Sequence, residues 1–425
     1  MTDLIAVPGG YFAVWLISFA SIALVLIRPK GLPEALWAVV GAGLLVICRL
    51  VPADNALHAI AKGTDVYLFL AGMMIMSELA RREGVFDWIA IHAVKAARGS
   101  ERRLFVLVYG VGIAVTIFLS NDATAVVLTP AVQAAVKAAE AEPLPFLFVC
   151  AFIANAASFV LPISNPANLV VYGKGLPPLG HWLGTFGMAS LASIVVTFLV
   201  LRLLSRKLLE GGMTDKLEHL PLTPSGKLTL AGIGFLAIIL LVTSAFGKDL
   251  GAPTCMAALL VAVAVSSRDR GVPRDIIREV SWSMLPLVAG LFVIVEAING
   301  AGALRAATAA LREMHSWRPD HAALSSAFAV ALVSNLMNNL PSGLIAGSAV
   351  TAAGTTGPLR DAILVGIDLG PNLSATGSLA TILWLIAIRR EGQKIGFWQF
   401  LRWGIVVMPP ALVLAVFALL LGWNS

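Results

Sequence analysis

Two short polar runs interrupt apolar stretches of this 425-residue sequence, and they hold most of its capacity for chemistry. The first is Ser120-Asn121-Asp122-Ala123-Thr124, inside an apolar run from Leu104 to Val136. The second is Ser334-Asn335-Leu336-Met337-Asn338-Asn339. Serine, threonine and asparagine offer both donors and acceptors, and Asp122 adds a carboxyl. An unpaired carboxylate at membrane depth is costly, so such groups face a cavity and mark an ion or substrate path. Two further breaks carry Ser164-Asn165-Pro166-Ala167-Asn168 and the stretch from Asp368 through Asn372, Ser374 and Thr376 to Ser378. Their prolines remove helix donors, and the polar side chains can satisfy the freed backbone.

The elements that must position these residues are membrane helices. Hydrophobic residues make up 58% of the chain and charged residues 13%, with a mean hydropathy of +0.88. A soluble domain carries about 25% charged residues. Apolar runs of roughly 18 residues recur throughout. The net charge of +6 needs no nucleic acid, because Lys and Arg cluster in short loops as the positive-inside rule expects. No cleavable signal peptide is expected, since Met1 to Ala6 lacks a basic segment and holds Asp3. Cys48, Cys150 and Cys255 are scattered, and the six histidines show no ligand spacing, so no metal site or cofactor is expected.

In chain order, spans are predicted at 12–27, 34–51 and 66–81, then an interfacial helix at 85–98. Residues 103–138 are too long and interrupted for one crossing and read as a re-entrant hairpin with Ser120-Asn121-Asp122 at its tip. A broken helix, 144–174, and a span at 180–203 complete the first half, 1–204. A polar cytoplasmic linker, 205–226, leads to the second half, 227–425. That half repeats the plan: spans at 228–246, 252–266 and 281–298, an amphipathic piece at 302–313, a hairpin at 321–353, a broken helix at 360–389 and a span at 398–421. Gly72, Glu78 and Gly84 recur with the same six-residue spacing as Gly290, Glu296 and Gly302, and Ser120-Asn121 is matched by Ser334-Asn335. The expected fold is all-α and polytopic, with two inverted repeats, about ten transmembrane helices, two re-entrant hairpins and two broken helices. Placing Arg28, Lys30, Arg81, Arg82, Arg102, Arg103, Arg202, Arg206, Lys216, Arg268, Arg270, Arg389 and Lys394 in the cytoplasm inverts one half relative to the other. Paired broken helices at mid-depth are the mark of a transporter with alternating access.

The tip Ser120-Asn121-Asp122-Ala123-Thr124-Ala125, the run Met337-Asn338-Asn339-Leu340-Pro341, and Asp368-Leu369-Gly370-Pro371-Asn372 followed by Gly377-Ser378-Leu379-Ala380-Thr381 resemble the bacterial arsenite permease family, ArsB. Arg28-Pro29-Lys30-Gly31-Leu32 is similar too, and the resemblance covers nearly the whole chain. It implies membership of the ion transporter superfamily, with sodium-coupled dicarboxylate carriers as distant relatives. It also implies a bacterial inner-membrane exporter of arsenite and antimonite, driven by proton entry and sometimes joined by an ArsA-type ATPase. Arsenite near neutral pH is mostly an uncharged trihydroxide, so its site needs donors and acceptors. Ser120, Asn121, Asp122, Thr124, Ser164, Asn165, Asn168, Ser334, Asn335, Asn338, Asn339, Asn372, Ser374, Thr376 and Ser378 are the candidate ligands. Thiolate ligation is the weaker idea, because buried thiols usually just pack.

Proton coupling needs a titratable group, and Asp122 and Asp368 are the candidates, since desolvation disfavours a charged carboxyl. Each could instead cap a half-helix. Glu78 and Glu296 suit a structural role, pairing with loop arginines. Within transport the rival is a sodium/proton antiporter of the same superfamily. A passive pore has little need of paired broken helices, and an intramembrane hydrolase would want GxSxG or HExxH, neither of which occurs.

Overall fold

The computed structural model describes residues 10–214, 221–390, 392–393 and 395–423. Lys216, His219, Lys394, the 1–6 segment and part of the expected linker, 215–220, lie outside the described residues. Those described fold into helices, with one isolated β-bridge between Ser100 and Gly212. An apolar chain in lipid must satisfy its backbone internally, and helices do this within each segment.

The first ten helices are α1 (Gly10–Ile27), α2 (Glu34–Ile47), α3 (Ala53–Lys62), α4 (Thr64–Arg82), α5 (Val85–Ala97), α6 (Glu101–Phe118), α7 (121–138), α8 (Leu144–Ala156), α9 (Pro166–Tyr172) and α10 (Leu179–Leu204). The next ten are α11 (Pro224–Ala245), α12 (Gly251–Ser266), α13 (Val272–Glu279), α14 (Met284–Gly300), α15 (Ala303–Met314), α16 (Pro319–Met337), α17 (Asn339–Ala353), α18 (Pro358–Leu369), α19 (Leu379–Arg390) and α20 (Phe397–Trp423). Five stretches among the described residues are long and apolar enough to cross a membrane: α1, α10, α11, the 272–300 stretch and α20. Their outer faces carry exposed Phe12, Ile238 and Leu421, an apolar surface that suits lipid. The protein is an all-helical, multi-pass membrane protein. The shorter apolar helices α2, α8, α12 and α19 fall below span length.

Packing between the halves is reciprocal. α4 lies on α12, and its counterpart α14 lies on α2. At both contacts the helices touch backbone to backbone through a glycine. A Cβ on Gly72 would meet the Thr254 carbonyl at 2.7 Å, and one on Gly290 would meet that of Ala38 at 2.8 Å. The long helices α10 and α20 pack along each other, while α9 lies on α17 and α19 lies on α7. Each broken helix therefore reaches across to the hairpin of the other half.

Two helices, α3 and α13, have no counterpart in the sequence expectation. At ten and eight residues they are too short to read as spans, and each has a proline at its start. α3 meets α4 at a 49° bend. α6 and α7 join at a break at Leu119–Ser120, and α16 and α17 at Asn338. The second hairpin breaks at Asn338, four residues beyond Ser334, which sequence matching sets opposite Ser120. Asn338 adopts φ 79° and ψ 154°, an extended positive-φ conformation that is strained for any residue but glycine.

Candidate functional site

Four half-helices begin near one another, and each opens on a polar cap. Ser120 Oγ accepts from the Ala123 N–H at 3.2 Å at the start of α7. Asn165 Oδ1 accepts from Ala167 N–H at 3.0 Å before α9. Asn338 Oδ1 accepts from Leu340 N–H at 3.2 Å before α17, and Ser378 Oγ from Thr381 N–H at 3.1 Å before α19. A cap frees the helix from its orphan donors at the point where the chain turns, so short polar side chains stand at every break.

Between these starts lies a pocket of about 10 Å³, the room of a single water. Asn121, Asp122, Asn165, Asn339 and Ser378 line it, with Pro166, Leu340, Leu379, Leu70 and Met284. Helix starts carry partial positive charge and free N–H groups. Among the described residues no lysine, arginine or histidine lines this pocket, whereas one carboxyl does. The polarity of this lining suits a neutral solute with hydroxyl groups better than a multiply charged anion.

Asp122 also lines a second, larger cavity of about 520 Å³. That cavity runs from Arg28, Glu78, Arg81 and Glu279 at the helix ends to Ser120, Asp122 and Pro166 at the first tip. Capping at this tip falls to Ser120, which leaves the Asp122 carboxyl free of that duty. Among the described residues Asp122 makes no ion pair.

Asp368 sits differently. It is fully buried behind the pocket, where Ser158 Oγ donates to its Oδ2 at 2.7 Å and Asn165 Nδ2 donates to its Oδ1 at 2.9 Å. Because Asn165 lines the pocket, Asp368 holds a pocket wall in place. Beside it Asn155 Nδ2 donates to Asn372 Oδ1 at 3.0 Å, and Asn372 Nδ2 to the Phe152 carbonyl at 3.0 Å. These bonds tie the two broken helices together. Ser158 and Asn155 are missed by the sequence reading because they precede the Pro162–Pro166 break, although a Ser and an Asn three residues apart in an apolar run were the available signal.

Most of the other candidate ligands bond to the backbone or to one another. Thr124 pairs with Thr116 of the facing hairpin limb at 2.8 Å and stands at a π-type turn over Thr124–Leu128. Ser164 donates to the Ile117 carbonyl at 3.2 Å, and Asn168 spreads its amide over the carbonyls of Ser158, Leu161 and Pro162. Asn335 donates to Ala331 and Gly370 carbonyls and accepts from Ser374, while Thr376 donates to the Asn335 carbonyl at 2.9 Å. Asn338 Nδ2 and Ser334 Oγ are buried. Glu78 grips Arg81 of its own helix through two bonds, at 2.9 and 2.6 Å, whereas Glu296 lies 3.6 Å from Lys62. Neither Cys48, Cys150 nor Cys255 lines the pocket or the cavity.

The family model described as CitMHS, citrate transporter, matches residues 22–367. The chain belongs to this citrate transporter family. It is also similar, at 28% identity over 419 residues, to an arsenical pump membrane protein of Escherichia coli, covering 94% of this chain and 96% of that protein. An arsenical pump membrane protein of Yersinia enterocolitica is 25% identical over 409 residues, covering 93% and 95%. Among solved structures, the YdaH transporter of Alcanivorax borkumensis, described as having an unusual topology, aligns with a TM-score of 0.58 at 15% identity over 98% of both chains. That likeness concerns the fold. Membership of a transporter family agrees with broken helices meeting at a small polar pocket.

Proposed function

We propose that this protein exports arsenite, and antimonite with it, across the bacterial inner membrane in exchange for protons. The observation that carries the reading is Asp122, a carboxyl on a hairpin tip that lines both the small pocket and the large cavity. A group so placed can meet a proton from the cavity and a substrate in the pocket. Arsenite, a compact trihydroxide, would take donors from Ser378, Asn165, Asn121 and Asn339 and the half-helix starts. The other polar residues of the breaks would hold these four in position. Arg28 and Arg81 at the cavity mouth are cytoplasmic by the positive-inside rule, so the cavity would be the inward-facing access route. Reciprocal packing of two ten-helix sets supports two inverted repeats, 1–204 and 227–425, rocking about the pocket. An ArsA-type ATPase could join on the same side.

A second reading follows from the family description: a citrate carrier. Converging helix starts favour anions. Asp122 and the lack of a basic side chain in the pocket oppose a multiply charged one. Everted vesicles decide between them. An imposed pH gradient, acid inside, should drive arsenite into the vesicles without sodium. Gradient-independent arsenite movement, a strict sodium requirement, or citrate carried in place of arsenite would defeat the proposal.

A further inference from the structure

A cationic pocket lies away from the tips, where the end of α10 passes the start of α6. Its volume is about 300 Å³, within the range of small-ligand sites. Arg102, Arg202 and Arg206 line it above Phe105, Leu199 and Leu203. Leu199, Arg202 and Leu203 follow the i, i+3, i+4 spacing of one face of α10, and Arg206 opens the short 3-10 turn just past its end. The arginines gather toward the helix end. Leu199 and Leu203 stay 56% and 70% exposed on a helix long and apolar enough to span. The Arg202 guanidinium sits 5.8 Å from the centroid of the Phe198 ring, which restrains its head. One acid stands at the edge: Glu210 Oε1 is 3.5 Å from Arg102 Nη2, both side chains being more than half exposed. Among the described residues neither Arg202 nor Arg206 forms an ion pair.

We propose that this pocket binds the headgroup phosphate of an anionic phospholipid, with its acyl chains along Leu199 and Leu203. Guanidinium forks match phosphate oxygens, and three of them exceed what one glutamate at the rim can offset. Basic pockets between helices at the cytoplasmic face are suited to such headgroups, and the positive-inside rule places these arginines there. A soluble anion would gain nothing from the exposed leucines, whereas a lipid uses both halves of the site.

Native mass spectrometry of the full chain tests this, with phosphatidylglycerol, cardiolipin, phosphatidylcholine or inorganic phosphate titrated into the micelles. Phosphatidylglycerol and cardiolipin adducts should persist at concentrations where phosphatidylcholine leaves none. Arg102→Gln/Arg202→Gln/Arg206→Gln should weaken them roughly a hundredfold, at about fivefold per arginine. Arg202→Gln alone should cost about fivefold. The control Arg270→Gln/Arg274→Gln/Arg278→Gln removes as much charge from exposed arginines elsewhere and should keep the adducts. Equal adducts with phosphatidylcholine, or undiminished adducts in the pocket variants, would overturn the proposal. So would inorganic phosphate binding as tightly as the lipids, which would mark a free-anion site. The headgroup preference of the unaltered protein tests the proposal even where a variant fails to fold.

Discussion

At the scale of single residues, the two central aspartates differ in their surroundings. Asp122 has a cavity before it and no ion-pair partner among the described residues, and the proposed exchange would use its carboxyl to carry the proton. Asp122→Asn keeps the size and much of the hydrogen bonding but cannot carry charge. Everted vesicles with this variant should lose gradient-driven arsenite uptake while the purified protein still binds arsenite; retained gradient-driven uptake would shift the role to Asp368. Asp368 is engaged on both oxygens by Ser158 and Asn165. Asp368→Asn sets an amide N–H against one of two donors, which should cost about 1–3 kcal/mol and release Asn165 into the pocket. Thermal unfolding in detergent should register that loss, together with weaker arsenite binding. An unchanged melting temperature would show that the bonds to Ser158 and Asn165 contribute little.

At the scale of elements, the close crossings of α4 on α12 and α14 on α2 depend on having no side chain at Gly72 and Gly290. Alanine at either position meets backbone, which cannot swing aside, so each should destabilise by about 1–3 kcal/mol. Gly234 in α11 has open space around it, and Gly234→Ala should be neutral or gain up to about 1 kcal/mol of helix propensity. If all three substitutions behaved alike in thermal unfolding, the crossings would not be the reason for the glycines. This glycine pair was legible in the sequence as a spacing shared with Glu78 and Glu296, though not the partner each one touches. The helix breaks near Ser120, Pro162–Asn165, Asn338 and Gly370–Ser378 were legible too, because proline and polar residues in an apolar run announce a break. α3 and α13 were not, since eight or ten amphipathic residues beside a span leave little periodic signal. The division of the polar residues between pocket and backbone was also hidden. Asparagine and serine are equally apt as caps and as ligands, and only the fold decides which carbonyl lies within reach.

For the molecule as a whole, one charged cluster joins the two halves well away from the pocket. Arg82 at the end of α4 reaches Asp269 at 2.8 Å and Asp275 at 2.7 Å, both in the other half, as well as neighbouring Glu83 at 3.1 Å. The Asp269 carboxyl is held below its ordinary 3.8, first by the Gly271 N–H and then by the Arg82 guanidinium. A lowered carboxyl value stabilises the fold fully above the ordinary range and loses that contribution as pH falls through the lowered value. Arg82→Gln should therefore melt at a lower temperature near neutral pH, and the gap from the unaltered protein should narrow below about pH 3.8. A gap that stayed constant with pH would exclude this cluster as its source.

The cysteines give the broadest check on how the molecule handles its cargo. Trivalent arsenic has a strong affinity for thiolates, so a thiol-based carrier would bring its cysteines to the path. Here Cys48 is exposed, Cys150 is buried within α8, and Cys255 is partly buried in α12. Polar groups and half-helix starts surround the pocket instead. Cys48→Ser/Cys150→Ser/Cys255→Ser should thus leave arsenite uptake into everted vesicles within about twofold of the unaltered protein per molecule in the membrane. Some loss of stability is expected at Cys150, where a hydroxyl replaces a thiol in an apolar site at about 1–3 kcal/mol, and Cys150→Ala serves as the gentler change. Expression is therefore measured beside transport, so that a scarcer protein is not mistaken for a slower one. Full-length protein present in the membrane at normal amounts yet unable to move arsenite would mean that a thiol takes the cargo at some stage. The pocket at the four helix starts would then be a waypoint rather than the binding site.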